Sequence, residues 1–111
     1  MLPKKERLSR EEFNRFFLLG KRHHTPSLQI VYVPHPTLQV SVVVSKKIAK
    51  LAVERNKIRR RIYDIVKNCR PEKKPHGIFI FIVKTPVSAV PYAALRDEVV
   101  AGIDAVGKKF T

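Results

Sequence analysis

Six consecutive apolar residues, Ile78-Phe79-Ile80-Phe81-Ile82-Val83, decide the fold class of this chain. Successive side chains of a β-strand point to opposite faces of a sheet, so a strand that is apolar at every position needs cover on both faces. The run is much shorter than the roughly 20 apolar residues that a membrane span requires. The stretch therefore predicts a central strand with other elements packed on both sides of it.

Two earlier stretches predict further strands of the same sheet. Residues 28–33 are rich in β-branched side chains, and between 38 and 44 apolar residues occupy every second position. The short connection between these stretches contains two prolines and predicts an antiparallel hairpin. Residues 21–26 are polar and end in a proline, so we expect a connector there.

The first helix is predicted over residues 10–19 from its start and stop signals. Ser9 is in the N-cap position, and Glu12 stands three residues later, where it completes a capping box. Gly20 is expected to end the helix in the left-handed conformation.

Two longer helices follow from apolar spacing. The second is strongly basic and occupies most of 48–68; its predicted apolar stripe is Leu51, Ile58, Ile62, Ile65 and Cys69. The third is opened by Pro91, and its predicted core face is Leu95, Val99, Ile103, Val106 and Phe110. Gly102 is expected to weaken this helix without breaking it.

The predicted order is α-β-β-α-β-α, and the fold class is α+β. We expect a small mixed β-sheet packed with helices, an α/β sandwich of the ribosomal-protein type. With 111 residues the chain has material for one domain, 1–111, because two independent cores need roughly 100 residues each. The single cysteine excludes an internal disulfide framework and suits a reducing compartment, so we expect a cytoplasmic protein.

The charge of the chain indicates its class of partner. It has 23 Lys and Arg against 9 Asp and Glu, a formal charge of +14. Solubility requires only about 2–8 net charges on a small domain, and self-repulsion opposes compaction. A polyanion explains the excess. Nucleic acid fits better than a membrane surface, because no helix pairs a basic face with a bulky apolar one.

The cations concentrate between residues 55 and 61, which read Arg-Asn-Lys-Ile-Arg-Arg-Arg. At about 100° per residue, Ile58 and Ile62 share one side of the helix. The opposite side carries Asn56, Arg60, Tyr63 and Lys67, with Lys57 and Arg59 at its edges. Guanidinium groups bind phosphate oxygens in pairs and stack on bases. Nearby acids are too few to neutralise this side, so we predict an anion-binding surface rather than a merely solvated one.

At this point the sequence resembles a known family. Val44-Ser45-Lys46-Lys47-Ile48, followed by Ala52-Val53-Glu54-Arg55-Asn56-Lys57-Ile58-Arg59-Arg60-Arg61, is similar to the signature of the bacterial ribonuclease P protein subunit. The resemblance extends to the Arg7-Leu8 pair, to Phe13 and Phe17, and to Gly20-Lys21-Arg22, and it covers about residues 2–100. Tyr63-Asp64 departs from the family pattern, which often has an arginine first.

The resemblance implies a subunit of a ribonucleoprotein that removes the 5′ leader from precursor tRNA. The RNA subunit is implied to catalyse the cleavage and to hold the Mg²⁺, with one protein per RNA, no membrane and no catalytic or metal-binding residue on the protein. Contact with the catalytic RNA is implied for Lys46, Lys47, Arg55, Asn56, Lys57, Arg59, Arg60, Arg61, Tyr63 and Lys67. A cleft for the single-stranded leader is implied to be lined by Phe13, Phe17, Lys21, Arg22 and Tyr32. Binding of the catalytic RNA and of the leader would raise the affinity for substrate and Mg²⁺.

Other interpretations stay open from the sequence. A structural RNA-binding protein of the ribosomal type fits the charge, and a nuclease that cleaves unaided is a third class. Phe13 and Phe17 fit core packing as well as an aromatic platform for bases. His23-His24 has no further ligand at metal spacing. Asp97, Glu98 and Asp104 are expected on the solvated side of the last helix.

Overall fold

The computed structural model describes residues 8–68, 77–85 and 90–110. The elements are α1 (Arg10–Leu19), β1 (Lys21–His24), β2 (Leu28–Val33), β3 (Leu38–Val43), α2 (Ala52–Asn68), β4 (Gly77–Val83) and α3 (Tyr92–Phe110). The α+β class and the predicted helices are confirmed, and the sheet has one strand more than predicted.

The additional strand is β1, where the sequence predicted a polar connector. It pairs antiparallel with β2, with Lys21 opposite Tyr32 and His24 opposite Gln29. The prediction is wrong because Lys-Arg-His-His contains no apolar residue that would reveal alternation. β1 lies at the edge of the sheet, where charged side chains are tolerated and discourage pairing with other chains.

The sheet has the order β1-β2-β4-β3, with β4 antiparallel to β2 and parallel to β3. The mixed sheet is confirmed, and so is the central position of the apolar stretch that became β4. The predicted hairpin of β2 and β3 is wrong because β4 lies between them. A strand that is apolar on both faces is most stable with a neighbour on each edge and cover on each face.

Helices cover the two faces of the sheet. On the face that carries α2 and α3, the buried residues of the sheet are Leu28, Ile30, Tyr32, Leu38, Val40, Val42, Phe79, Phe81 and Val83. On the opposite face, Phe16 of α1 packs against Val31, Ile78 and Ile80. The alternation along each strand therefore divides the core into a large cluster under α2 and α3 and a small one under α1.

The apolar stripes of the long helices are largely as predicted. Ile58, Ile62 and Ile65 of α2 are buried, together with Val66, which the predicted stripe did not include. Leu51 is 59% exposed because it precedes the helix rather than lying on its inner side. Leu95, Val99, Ile103 and Val106 of α3 are buried as predicted. Cys69 and the side chain of Phe110 lie outside the described residues.

Two glycines allow helices to approach β2 closely. Gly20 ends α1 with φ −71° and ψ 149°, an extended conformation and not the left-handed one that was predicted. A Cβ at this position would overlap with Cγ1 of Val31. The α3 helix continues through Gly102, where a Cβ would come within 2.5 Å of Cδ1 of Ile30. Close packing against side chains of β2, rather than backbone conformation, favours glycine at both positions.

Candidate nucleic-acid interface

The α2 helix carries six lysines and arginines, more than any other helix or strand in the part of the chain that the structure describes. One side of it is buried in the large cluster through Ile58, Ile62 and Ile65. On the remaining surface, Asn56, Lys57, Arg60 and Lys67 are exposed, and Arg55, Arg59 and Arg61 are half-buried. The structure therefore places a guanidinium-rich surface outward, as the helical spacing predicts, with the aliphatic parts of three arginines partly covered.

Tyr63 is the exception on α2. The helical spacing predicts it on the exposed side, but it is half-buried and packs against the large cluster. The prediction assumed that α2 has one buried side. In the structure α2 packs against both the sheet and α3, which widens its covered surface.

Arg55 is bound to the segment that joins β3 to α2. Its Nη1 donates to the carbonyl oxygens of Ala49, at 3.0 Å, and of Lys50, at 2.8 Å. In the same segment the amides of Ile48 and Ala49 both donate to the carbonyl oxygen of Ser45, at 3.1 Å. Arg55 therefore fixes the backbone that presents the exposed side chains of Lys46, Lys47 and Lys50.

Asn56 and Arg59 interact one turn apart on α2. The Oδ1 atom of Asn56 accepts a hydrogen bond from Nη2 of Arg59. A neutral amide in the middle of the cationic surface thus restricts the orientation of a guanidinium group, and such a restraint reduces the entropy that a side chain loses on binding a ligand.

The aromatic side chains of α1 lie against the opposite face of the sheet. Phe16 is buried, whereas Phe13 and Phe17 are half-buried, with ring centroids 5.5 Å apart and an interplanar angle of 28°. Both rings pack against the small cluster of Val31, Ile78 and Ile80. They are therefore core residues in part and still present aromatic surface to solvent.

Arg22 of β1 joins these aromatics. Its guanidinium carbon lies 4.8 Å from the ring centroid of Phe17, and its Nη2 donates to the carbonyl oxygen of the same residue at 3.3 Å. The last turn of α1 has no basic residue, so Arg22 supplies the cation that the negative end of the helix dipole favours. The result is a cationic and aromatic rim between α1 and the edge of the sheet.

Lys21 and Tyr32 lie on the other face of the sheet. Tyr32 is 3% exposed and belongs to the large cluster, with its ring centroid 5.1 Å from that of Phe79. Lys21 is opposite Tyr32 in the β1–β2 register and therefore shares its face. The structure thus brings Phe13, Phe17 and Arg22 together, and it separates Lys21 and Tyr32 from them because neighbouring residues of a strand point to opposite faces.

Comparison with known proteins identifies the family. Residues 2–107 match the family model described as Ribonuclease P. The chain belongs to the ribonuclease P protein family. A ribonuclease P protein component from Synechococcus sp. is 32% identical over 106 residues, which cover 89% of this chain and 80% of the relative. Another from Pseudanabaena sp. is 35% identical over 103 residues, which cover 88% of each chain.

Solved structures of ribonuclease P proteins share the fold. One is a Staphylococcus aureus mutant with defective mRNA degradation activity, with a TM-score of 0.80 at 19% identity over 94% of this chain and 90% of that one. A second is from Thermotoga maritima, with a TM-score of 0.76 at 21% identity over 90% of this chain and 96% of that one. At these identities the likeness shows the fold alone.

The sequence analysis of this ribonuclease P family member did not identify one row of residues on the sheet face that carries α1. His24, Gln29, Ile82 and Val43 are neighbours across the four strands. His24 is exposed and the other three are half-buried, since α1 covers the adjacent row that contains Val31 and Ile80. We call these four residues the open row. Alternation along the strands would have revealed it once β1 was recognised as a strand.

Glu98 is not on the solvated side of α3, where it was predicted. It is half-buried, and its Oε1 accepts hydrogen bonds from Oγ1 of Thr25 and from the amide of Ser27, both at 2.6 Å. These bonds attach the β1–β2 turn to α3. Asp97 and Asp104 are exposed, as predicted.

The capping box at the start of α1 lowers the pKa of the Glu12 carboxyl. The Ser9 amide donates to Oε1 of Glu12 and the Glu12 amide donates to Oγ of Ser9, both at 3.2 Å, so the predicted capping box is present. The backbone and side-chain hydrogen bonds of Ser9 lower the pKa of this carboxyl below its ordinary value, with smaller help from Gln39 and Arg15.

The described part of the chain also bears on metals and membranes. Within residues 8–68, 77–85 and 90–110, no group of three or more His, Cys, Asp or Glu side chains is placed to hold a metal ion. The same residues include no helix that is both long and apolar enough to cross a membrane.

Proposed function

We propose that this chain is the protein subunit of a ribonuclease P that acts with a catalytic RNA to remove the 5′ leader of precursor tRNA in the cytoplasm. The observation that carries the proposal is the arrangement of α2, which is anchored in the core on one side and exposes Lys57 and Arg60 on the other. Family membership gives this cationic surface its partner.

The surface of α2, with Lys46 and Lys47 of the preceding segment, binds the catalytic RNA. Each phosphate that such a cation neutralises releases condensed counterions, so affinity falls steeply with salt concentration. A protein of charge +14 also reduces the repulsion between two RNA molecules that must associate. This lowering of repulsion is one of two ways in which the subunit raises the affinity for the precursor.

The opposite face of the sheet takes the single-stranded leader. Phe13, Phe17 and Arg22 form one wall, and the open row continues from them across about 14 Å of sheet, at roughly 4.8 Å per strand. Stacking of a base on an aromatic ring contributes about 1–3 kcal/mol and needs no particular sequence. This face therefore suits leaders of varied sequence.

Mg²⁺ belongs to the RNA in this proposal. Mg²⁺ prefers oxygen ligands, and the side chains that the interface offers are mainly lysines and arginines, which do not fit a magnesium site. The RNA subunit supplies the metal and the cleavage chemistry. The chain's residues bind and orient the two RNA partners, and one protein serves each RNA.

Reconstitution tests the function. The chain is added to a bacterial ribonuclease P RNA at a Mg²⁺ concentration too low for efficient cleavage by the RNA alone, and precursor-tRNA cleavage is measured. We expect faster cleavage with the chain than without it, and no cleavage by the protein alone. We also expect the complex to have the molar mass of one protein bound to one RNA. Binding without stimulation would support a structural RNA-binding protein instead, and cleavage by the protein alone would support an independent nuclease.

A further inference from the structure

A cavity of about 520 Å³ lies between α3 and the turn that joins β1 to β2. This volume is within the range of sites that bind small molecules. The helix contributes Ala101, Gly102 and Ala105 to the lining, and their small size leaves the space open. The absence of larger side chains on this side of α3 therefore creates the cavity.

The hydrogen bonds of Glu98 hold the two walls of the cavity together. Its Oε1 accepts from Oγ1 of Thr25 and from the amide of Ser27, both at 2.6 Å, which attaches the turn to α3. Thr25 and Glu98 both line the cavity. The cavity is therefore preformed, and a ligand can enter it without the cost of ordering the turn.

The lining of the cavity combines ring surfaces with negative charge. His23, which is half-buried, and Pro26 belong to the lining, and imidazole is one of the side-chain rings on which bases stack. Asp97 and Glu98 also belong to it, and the charge of a carboxylate repels phosphate. The net charge of +14 disfavours a free cationic ligand. The lining therefore favours a neutral ring, such as a nucleobase, over a phosphate or an amine.

The cavity adjoins one end of the open row. His24 is the β1 member of that row and also lines the cavity. The preceding residue, His23, is opposite Ile30 and shares the face that carries α3, since Ile30 lies against Gly102. An RNA strand that follows the open row therefore reaches the cavity by passing around the edge strand β1.

The other end of the open row indicates the direction of the leader. Val43 ends β3, and Lys46 and Lys47, which belong to the surface proposed for the catalytic RNA, follow it closely in the chain. In the proposed function the catalytic RNA carries out the cleavage. The nucleotides next to the cleavage site then lie beside β3, and those nearer the 5′ end of the leader lie beside β1.

We propose that this cavity binds one base of the leader, on the 5′ side of the nucleotides that cross the open row. The base contacts Pro26 and Ala101 and stacks on His23, while its phosphate stays outside the cavity, away from the carboxylates. The inference rests on the proposed function and adds to it a base-binding site outside the sheet face.

Filling the cavity tests this inference. Ala101→Leu adds bulk at an exposed position of α3, and Ala94→Leu is the matched control, because Ala94 is exposed on the same helix and does not line the cavity. Each chain is combined with a bacterial ribonuclease P RNA, and affinity is measured for precursor tRNAs whose leaders lengthen by one nucleotide at a time. We expect Ala101→Leu to bind long leaders about 10-fold more weakly than Ala94→Leu, within the range of one stacked base. The two variants should bind the shortest leaders equally well.

Abasic leaders locate the base. In the long-leader precursor, one nucleotide at a time is replaced by an abasic one. We expect one position at which the replacement weakens binding about 10-fold with the unmodified chain and has no effect with Ala101→Leu. Equal affinities of the two leucine variants at every leader length, or the absence of such a position, would overturn the inference. If leader length has no effect on affinity with the unmodified chain, the proposed binding of the leader is itself wrong.

Discussion

The guanidinium of Arg55 lies 2.8 Å from the carbonyl oxygen of Lys50 and connects α2 to the segment before it. A second bond from the same Nη1 reaches Ala49. A residue of the cationic signature is therefore used to hold protein backbone. Its neighbours Lys57 and Arg60 are exposed instead. Arginines of one motif thus differ in whether they bind protein backbone or face solvent, and mutation can separate these two roles.

We expect Arg55→Ala to lower the free energy of unfolding by about 1–3 kcal/mol, because it removes charged hydrogen bonds to two carbonyl groups. RNA affinity falls as well, since Lys46 and Lys47 lose their fixed position.

Arg60→Ala is the control, because the Arg60 side chain is exposed. Its stability should change by less than about 0.5 kcal/mol, while the salt slope of RNA binding falls by about 1. Urea denaturation and binding at several salt concentrations measure both effects. Equal stability of the two variants would contradict this role of Arg55.

Asn56→Ala is expected to weaken RNA binding although it removes no charge. The loss arises because Arg59 is no longer restrained by the Asn56 amide. In a double-mutant cycle with Arg59→Ala, the two effects should therefore be non-additive by about 0.5 kcal/mol or more, as for residues in direct contact. Additive effects would show that Asn56 acts on the RNA independently of Arg59.

Phe17→Ala should reduce the affinity for precursor tRNA that has a long leader by about 1–3 kcal/mol, the range of one stacked base. Affinity for a substrate with a leader of a single nucleotide should change much less. Phe17→Leu keeps much of the packing against the small cluster but removes the aromatic ring. If Phe17→Leu binds the long leader as tightly as the unmodified chain, the ring has no stacking role.

The capping box makes stability depend on pH. The pKa of Glu12 is lowered from its ordinary value of 4.5, so its contribution is complete above that pH. The contribution is lost as the pH falls through the lower pKa of the folded state. We expect Glu12→Gln to be less stable than the unmodified chain at pH 7, and the difference to shrink towards pH 3. Urea denaturation across this range measures it, and a constant difference would contradict the assignment.

Ser9→Ala tests the same cap without a titrating group. Loss of the hydroxyl that accepts from the Glu12 amide should cost about 1 kcal/mol of unfolding free energy. Ser45→Ala is a poor control, because Ser45 also lies in a hydrogen-bonded segment. Asn14→Ala, at an exposed position of α1, is suitable and should be neutral or slightly stabilising.

Local sequence patterns predicted the fold correctly where apolar residues dominate a strand or one side of a helix. The continuous apolar run of β4 required two covered faces, and the structure provides them. The stripe of Ile58, Ile62 and Ile65 placed α2 correctly for the same reason. β1 was missed because its four side chains are polar, and its pairing with β2 depends on backbone hydrogen bonds that the side-chain pattern does not report.

Long-range relationships limited the prediction of the site. The sequence distance between Phe17 and Tyr32 says nothing about which face of the sheet Tyr32 occupies, and one position along the strand reverses that face. The burial of Tyr63 could be predicted only with the knowledge that α3 packs beside α2. The bond from Arg55 to Lys50 depends on the exact path of the segment between β3 and α2.

The central position of β4 also sets the order in which the molecule can be assembled during translation. β3 has β4 as its strand partner in the sheet, and α1 rests on Ile78 and Ile80 as well as on Val31, so neither is fully packed until β4 has been synthesised. Pairings this distant in sequence form late and slowly. A nascent chain that already displays its basic helix therefore still lacks the complete sheet face that we propose for the leader.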